Sequence, residues 1–115
     1  MLRITTWRMT GTPPQGTTPQ VAFQAIQDMC NKLEKIPGTG RLRWYIGNQG
    51  VVTVGEPESY AVADAILKSK EAQAAIGKVF ALGYSIAEDQ FLLELSQVTP
   101  FTQAASQVPA ELARV

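Results

Sequence analysis

Arg41-Leu42-Arg43-Trp44-Tyr45-Ile46-Gly47-Asn48-Gln49-Gly50-Val51-Val52-Thr53-Val54 sits near the middle of the chain and sets the reading of everything around it. Leu42, Trp44 and Ile46 alternate with Arg41, Arg43 and Tyr45, which is the period of a strand. Val51 to Val54 is a second, β-branched run. Gly47-Asn48-Gln49-Gly50 joins the two runs and is turn-forming, so the segment reads as a β-hairpin. It is no phosphate loop, because it lacks Lys or Ser/Thr at the required spacing and joins two strands instead of a strand and a helix.

Outward from the hairpin, both flanks read as helical. On the N-terminal side Thr18 can cap a helix with Pro19 at its first position, where a missing N–H costs least. Ala22, Ile26, Met29, Leu33 and Ile36 then form one apolar stripe, and Pro37-Gly38 ends the helix, giving 19–36. On the C-terminal side Tyr60 to Leu67 is a first segment, and Ser69 can cap a second one running to Leu82, with a break near Lys68-Ser69-Lys70. Ala72, Ile76, Val79 and Phe80 form its apolar side, and Gly83 suits the left-handed stop behind it. The outermost segments, 2–10 and 84–95, alternate as strands. A Gly- and Pro-rich loop, Gly11 to Thr17, follows the first.

The order is therefore strand, helix, strand, strand, helix, strand. This is the ferredoxin-like βαββαβ pattern of the α+β class: one antiparallel four-stranded sheet with two helices on one face. Residues 1–97 make the domain. Residues 98–115, with Pro100 and Pro109, form a C-terminal tail expected to hold a short helix at 109–114 or to drape over a partner subunit.

If the more apolar set of each strand faces the helices, Leu2, Ile4, Leu42, Trp44, Ile46, Val52, Val54, Phe91, Leu93 and Leu95 are covered. The open face then carries Arg3, Thr5, Trp7, Met9, Arg43, Tyr45, Val51, Thr53, Ile86, Glu88, Gln90 and Leu92. A patch of that kind marks a contact surface. A one-residue slip in register would exchange the two sets.

With this order, length and mixed open face, the chain resembles the dimeric α/β-barrel proteins, over about residues 1–97. The resemblance implies a homodimer or higher homo-oligomer in which two sheets pack face to face around a shared barrel. It also implies a place among proteins that include cofactor-independent monooxygenases, small isomerases and haem-degrading enzymes. The haem branch is set aside because its ligand is a histidine and this chain has none. No family motif assigns a role to any residue here.

Composition narrows the chemistry further. Lys plus Arg and Asp plus Glu are both 10, so the formal net charge is zero, which argues against nucleic-acid binding. RNA-recognition motifs share this strand order, but Val51-Val52-Thr53-Val54 stands where their third-strand aromatic signature belongs. No apolar run approaches a membrane span of about 20 residues, and the N-terminus lacks a signal-peptide pattern, so a cytoplasmic protein without a membrane partner is expected. The absence of histidine removes His-based zinc sites and His-dependent triads, and no metal or cofactor is expected.

The candidate site follows from the face assignment. Trp7, Arg43, Tyr45 and Gln90 line a small-molecule pocket in the barrel, with Arg43 able to hold an anionic oxygen. Glu88 is a candidate base on that face. Asp89, adjacent to it, points to the opposite side of the strand and is either a second base or a structural hydrogen-bonding group. The plainer alternative is that Arg and Glu pair across the interface and Trp7 fills the barrel. Trp44 and Phe91 read as core, Tyr60 either as a surface staple at the start of its helix or as a residue leaning over the sheet's open end, and lone Cys30 as a small buried thiol. Two functions compete: a cofactor-independent monooxygenase or isomerase acting on a small organic molecule, and a non-catalytic ligand-binding or scaffold protein.

Overall fold

The structure, a computed structural model, describes residues 1–94. Its elements are β1 (Leu2–Met9), α1 (Pro19–Glu34), β2 (Leu42–Gly47), β3 (Gly50–Gly55), α2 (Tyr60–Leu67), α3 (Lys70–Phe80) and β4 (Tyr84–Leu92). The second helical region is broken as the Lys68-Ser69-Lys70 sequence indicates. The expectation for residues 98–115 lies outside the described residues.

Caps fix the helix starts. Thr18, Ser59 and Ser69 each accept a hydrogen bond from the backbone N–H three residues on, at Val21, Val62 and Ala72. The four strands form one antiparallel sheet in the order β2-β3-β1-β4. β1 lies in the interior of the sheet, between β3 and β4. Burial of Ile26, Met29 and Cys30 from α1 and of Ala72, Ala75, Ile76 and Val79 from α3 against Trp7 and Val51 makes the core.

The register overturns the expected faces of two strands. Thr5, Trp7, Val51 and Thr53 are buried under the helices, while Leu2, Ile4, Val52 and Val54 are only partly covered and lie on the other side. The physical reason is visible in the partners. Trp7 carries the largest apolar surface of β1, and its indole Nε1 donates to Thr53 Oγ1 at 3.0 Å, so both polar atoms are satisfied inside. β2 keeps the expected face. Leu42 and Trp44 pack against the core, and Trp44 Nε1 donates to Gln27 Oε1 of α1 at 2.8 Å. Ile46, on the same side, is left exposed at the hairpin end.

β4 contains a bulge. Thr6 pairs with Glu88 and Trp7 with Ile86, so Ala87 is the extra residue. The bulge reverses the alternation, turning Ile86 to the helix side with Trp7, against the expectation for it. Asp89 and Phe91 share that side because they pair with Thr5 and Arg3.

Candidate functional site: a cavity between sheet and helices

Between the sheet and the helices lies a cavity of about 70 Å³. Arg3, Thr5 and Trp7 of β1 and Thr53 and Gly55 of β3 form its floor. Cys30 of α1, Ala63 and Ile66 of α2 and Ile76 of α3 lie across from them. Thr39 and Pro57 close one end; Ile86, itself 40% exposed, reaches the surface at the other. Because Arg3 pairs with Gly55 and Trp7 with both Val51 and Ile86, the cavity follows the five residues of β1 from Arg3 to Trp7, four steps or roughly 13 Å. Its volume is under half of the about 150 Å³ that receives benzene in an apolar protein cavity. It is therefore too small for benzene and suits a compact molecule of about three or four non-hydrogen atoms.

The lining is apolar with a few polar groups. Arg3 is the only charged residue among them, and it is already neutralised. Its Nε and Nη2 donate to the two carboxylate oxygens of Asp89 at 3.0 and 2.7 Å. Thr5 Oγ1 donates to the same carboxylate at 2.9 Å, and the guanidinium lies 4.9 Å from the centre of the Phe91 ring. Tyr60 packs edge-on against Phe91, with ring centres 4.9 Å apart. The thiol of Cys30, 1% exposed, is pushed up to about 11, chiefly by burial and secondarily by the charge of Glu34, so it stays protonated and neutral at physiological pH.

The structure splits the site expected from the sequence into two. Trp7 lines this cavity, under the sheet. Arg43, Tyr45, Glu88 and Gln90 lie on the opposite, open face: Arg43 pairs with Val54, Tyr45 with Val52, Gln90 with Ile4 and Glu88 with Thr6. Asp89 is on the cavity side, held by Arg3 and Thr5 in the structural role the sequence left open. Sequence reasoning missed Thr39 altogether. It lies in the loop between α1 and β2, and its only signal is the pair of flanking glycines.

Around the open-face residues the sheet is apolar. Leu2, Ile4, Val52 and Val54 are half-buried, and Tyr45 and Leu92 are more exposed. Arg43 Nε is buried without a hydrogen-bond partner among the described residues. Also among the described residues, no three His, Cys, Asp or Glu side chains gather to hold a metal ion, and no helix is long and apolar enough to cross a membrane.

No family model and no curated protein matches the chain. Solved structures do. A protein of Arabidopsis thaliana superposes with a TM-score of 0.60 at 10% identity, over 81% of this chain and 95% of its own. A dimeric ferredoxin-like protein of unknown function from Thermobifida fusca gives 0.57 at 17% identity, over 80% and 89%. The fold is ferredoxin-like. An antibiotic biosynthesis monooxygenase shares this ferredoxin-like arrangement, with a TM-score of 0.56 at 10% identity, over 82% of this chain and all of its own.

Proposed function

We propose that the protein is a homodimer whose protomers each bind a small, narrow, neutral organic molecule in the cavity between sheet and helices. The cavity carries the reading: it is apolar, it reaches the surface at Ile86, and its one charged side chain is cancelled by Asp89. A charged ligand would give up its hydration without meeting a free counter-charge. The dimer is supported by the apolar open face, by the unpaired Arg43 Nε within it, and by the dimeric state of a structural neighbour. The barrel between the two sheets is then an interface, and the ligand chamber is separate from it.

A filling substitution tests the binding. Ala63, 3% exposed, lines the cavity from α2. Ala63→Val adds two methyl groups to the space while leaving the open face untouched. Wild-type protein is expected to show propan-1-ol-dependent amide shifts around Cys30, Ala63 and Ile76 in solution NMR. Ala63→Val is expected to lose them while keeping its far-ultraviolet circular dichroism. Shifts confined to Tyr45, Val52 and Val54, or none, would overturn the reading.

One structural neighbour is a monooxygenase, which favours cofactor-independent oxygenation of the bound molecule as the second reading. In such chemistry the electrons come from an ionised substrate. Asp89 is engaged by Arg3 and Thr5, and Glu88 is on the other face, so the substrate would have to ionise with little help from a side-chain base. Dioxygen uptake above the uncatalysed rate with a small enolisable carbonyl compound such as glycolaldehyde is the result this reading requires.

A further inference from the structure

The two edges of the open face differ in kind. Across the sheet, Arg43, Val54, Ile4 and Gln90 form one row, and Tyr45, Val52, Thr6 and Glu88 form the next. β2 and β4 are the outer strands. The β2 edge therefore presents the Arg43 guanidinium, which only donates, and the Tyr45 phenol. The β4 edge presents the Glu88 carboxylate, which accepts, and the Gln90 amide. Three strand spacings, roughly 14 Å, separate these edges, so the opposite charges of Arg43 and Glu88 cannot meet within one protomer. Among the described residues none of these four side chains makes a hydrogen bond or ion pair, and Arg43 Nε is buried as well. Arg8, the other cation on this side of the sheet, is engaged by Gln49.

Building on the dimer reading above, we infer that two copies of the chain join about a two-fold axis that runs along the strands, so that Arg43 of each protomer pairs with the partner's Glu88. A two-fold dimer brings the same patch of both copies together. For sheets packed face to face, the axis runs either across the strands or along them. An axis across the strands sets each strand over its own copy. It lays the Arg43 edge on the partner's Arg43 edge and the Glu88 edge on the partner's Glu88 edge, and juxtaposed like charges oppose association. An axis along the strands sets β2 over the partner's β4 and β3 over the partner's β1. Val54 then meets the partner's Ile4, and the apolar centre closes on itself. Arg43 lies over the row of the partner's Gln90, with the partner's Glu88 one row further along. Packed sheets are about 10 Å apart and one row is about 7 Å, a diagonal that an arginine and a glutamate joined by a hydrogen bond can cover. Symmetry makes this contact twice.

The test is the dimer dissociation constant of the full chain, measured by sedimentation velocity on dilution, for wild type, Arg43→Glu, Glu88→Arg and the double variant. Each single substitution places like charges at both contacts and is expected to raise the constant at least about tenfold. The double variant restores both pairs in reverse and is expected to return to within about threefold of wild type. An axis across the strands gives no such recovery, because the exchange still leaves like against like at both edges. Far-ultraviolet circular dichroism checks the fold. Glu88 is exposed, so Glu88→Arg against the double variant is decisive whether or not Arg43→Glu folds alone. No recovery in the double variant, or a Glu88→Arg dimer as tight as wild type, overturns the arrangement and leaves the dimer intact. A wild-type monomer overturns the dimer reading and the arrangement with it.

Discussion

Trp7→Ala is expected to lower the unfolding free energy by about 4 kcal/mol, the range found when a buried tryptophan or phenylalanine is truncated. Trp7 is 4% exposed and sits where β1, β3 and α3 meet. Its ring centre is 5.9 Å from that of Phe80, and its N–H is bonded to Thr53. Truncation removes the ring and also leaves the Thr53 hydroxyl buried without its donor. Relaxation around the site is limited, since Thr5, Thr53 and the helices are themselves tightly held. Urea unfolding should show a lower midpoint with an unchanged slope. Had Trp7 lined a barrel between two subunits, as its alternation in sequence indicates, its loss would weaken association and spare the protomer. A protomer destabilised by less than about 1 kcal/mol would therefore contradict its place in the core.

Ile4→Glu is expected to convert the dimer to a folded monomer. Ile4 lies on an interior strand, on the open side, with Val54 beside it on β3 and Gln90 beside it on β4. In a face-to-face dimer the substitution buries a carboxylate on each side, with Val54 as its neighbour and Arg43 one strand further away. Burial of an uncompensated charge costs several kcal/mol, enough to raise the dissociation constant at least about a hundredfold. In a lone protomer the same side chain reaches solvent and costs little. Native mass spectrometry at micromolar concentration should give two chains for wild type and one for Ile4→Glu, with unchanged far-ultraviolet circular dichroism. A wild-type monomer, or a variant dimer of undiminished affinity, would remove the argument from the open face.

The element order was legible because its signals are local. Thr18 and Ser69 are readable as helix caps, Pro19 opens a helix, and the 41–54 hairpin alternates cleanly around its turn. The face assignment was not legible, because both faces of β1 and β3 carry apolar residues. Counting hydrophobicity placed Leu2, Ile4, Val52 and Val54 inside. The structure instead buries Trp7 with three threonines whose hydroxyls are mostly satisfied by pairing, which no count of polar residues anticipates. β2 escaped the error because Leu42 and Trp44 are far more apolar than Arg43. In β4 the Ala87 bulge shifts the alternation, so Ile86 and Asp89 end on one face despite their odd separation. Asp89 shows the same limit: its adjacency to Glu88 excludes a shared proton, but only the register shows that Arg3 and Thr5 hold it.

The claim on which the functional account rests is that each protomer encloses its own ligand chamber beneath the sheet. Diffraction from a xenon-pressurised crystal tests it most directly, because xenon settles in apolar cavities whatever the natural ligand is. The account predicts one site per protomer, bounded by Trp7, Cys30, Ile66 and Ile76. Xenon found only between the open faces of two sheets, near Tyr45 and Val52, would contradict it.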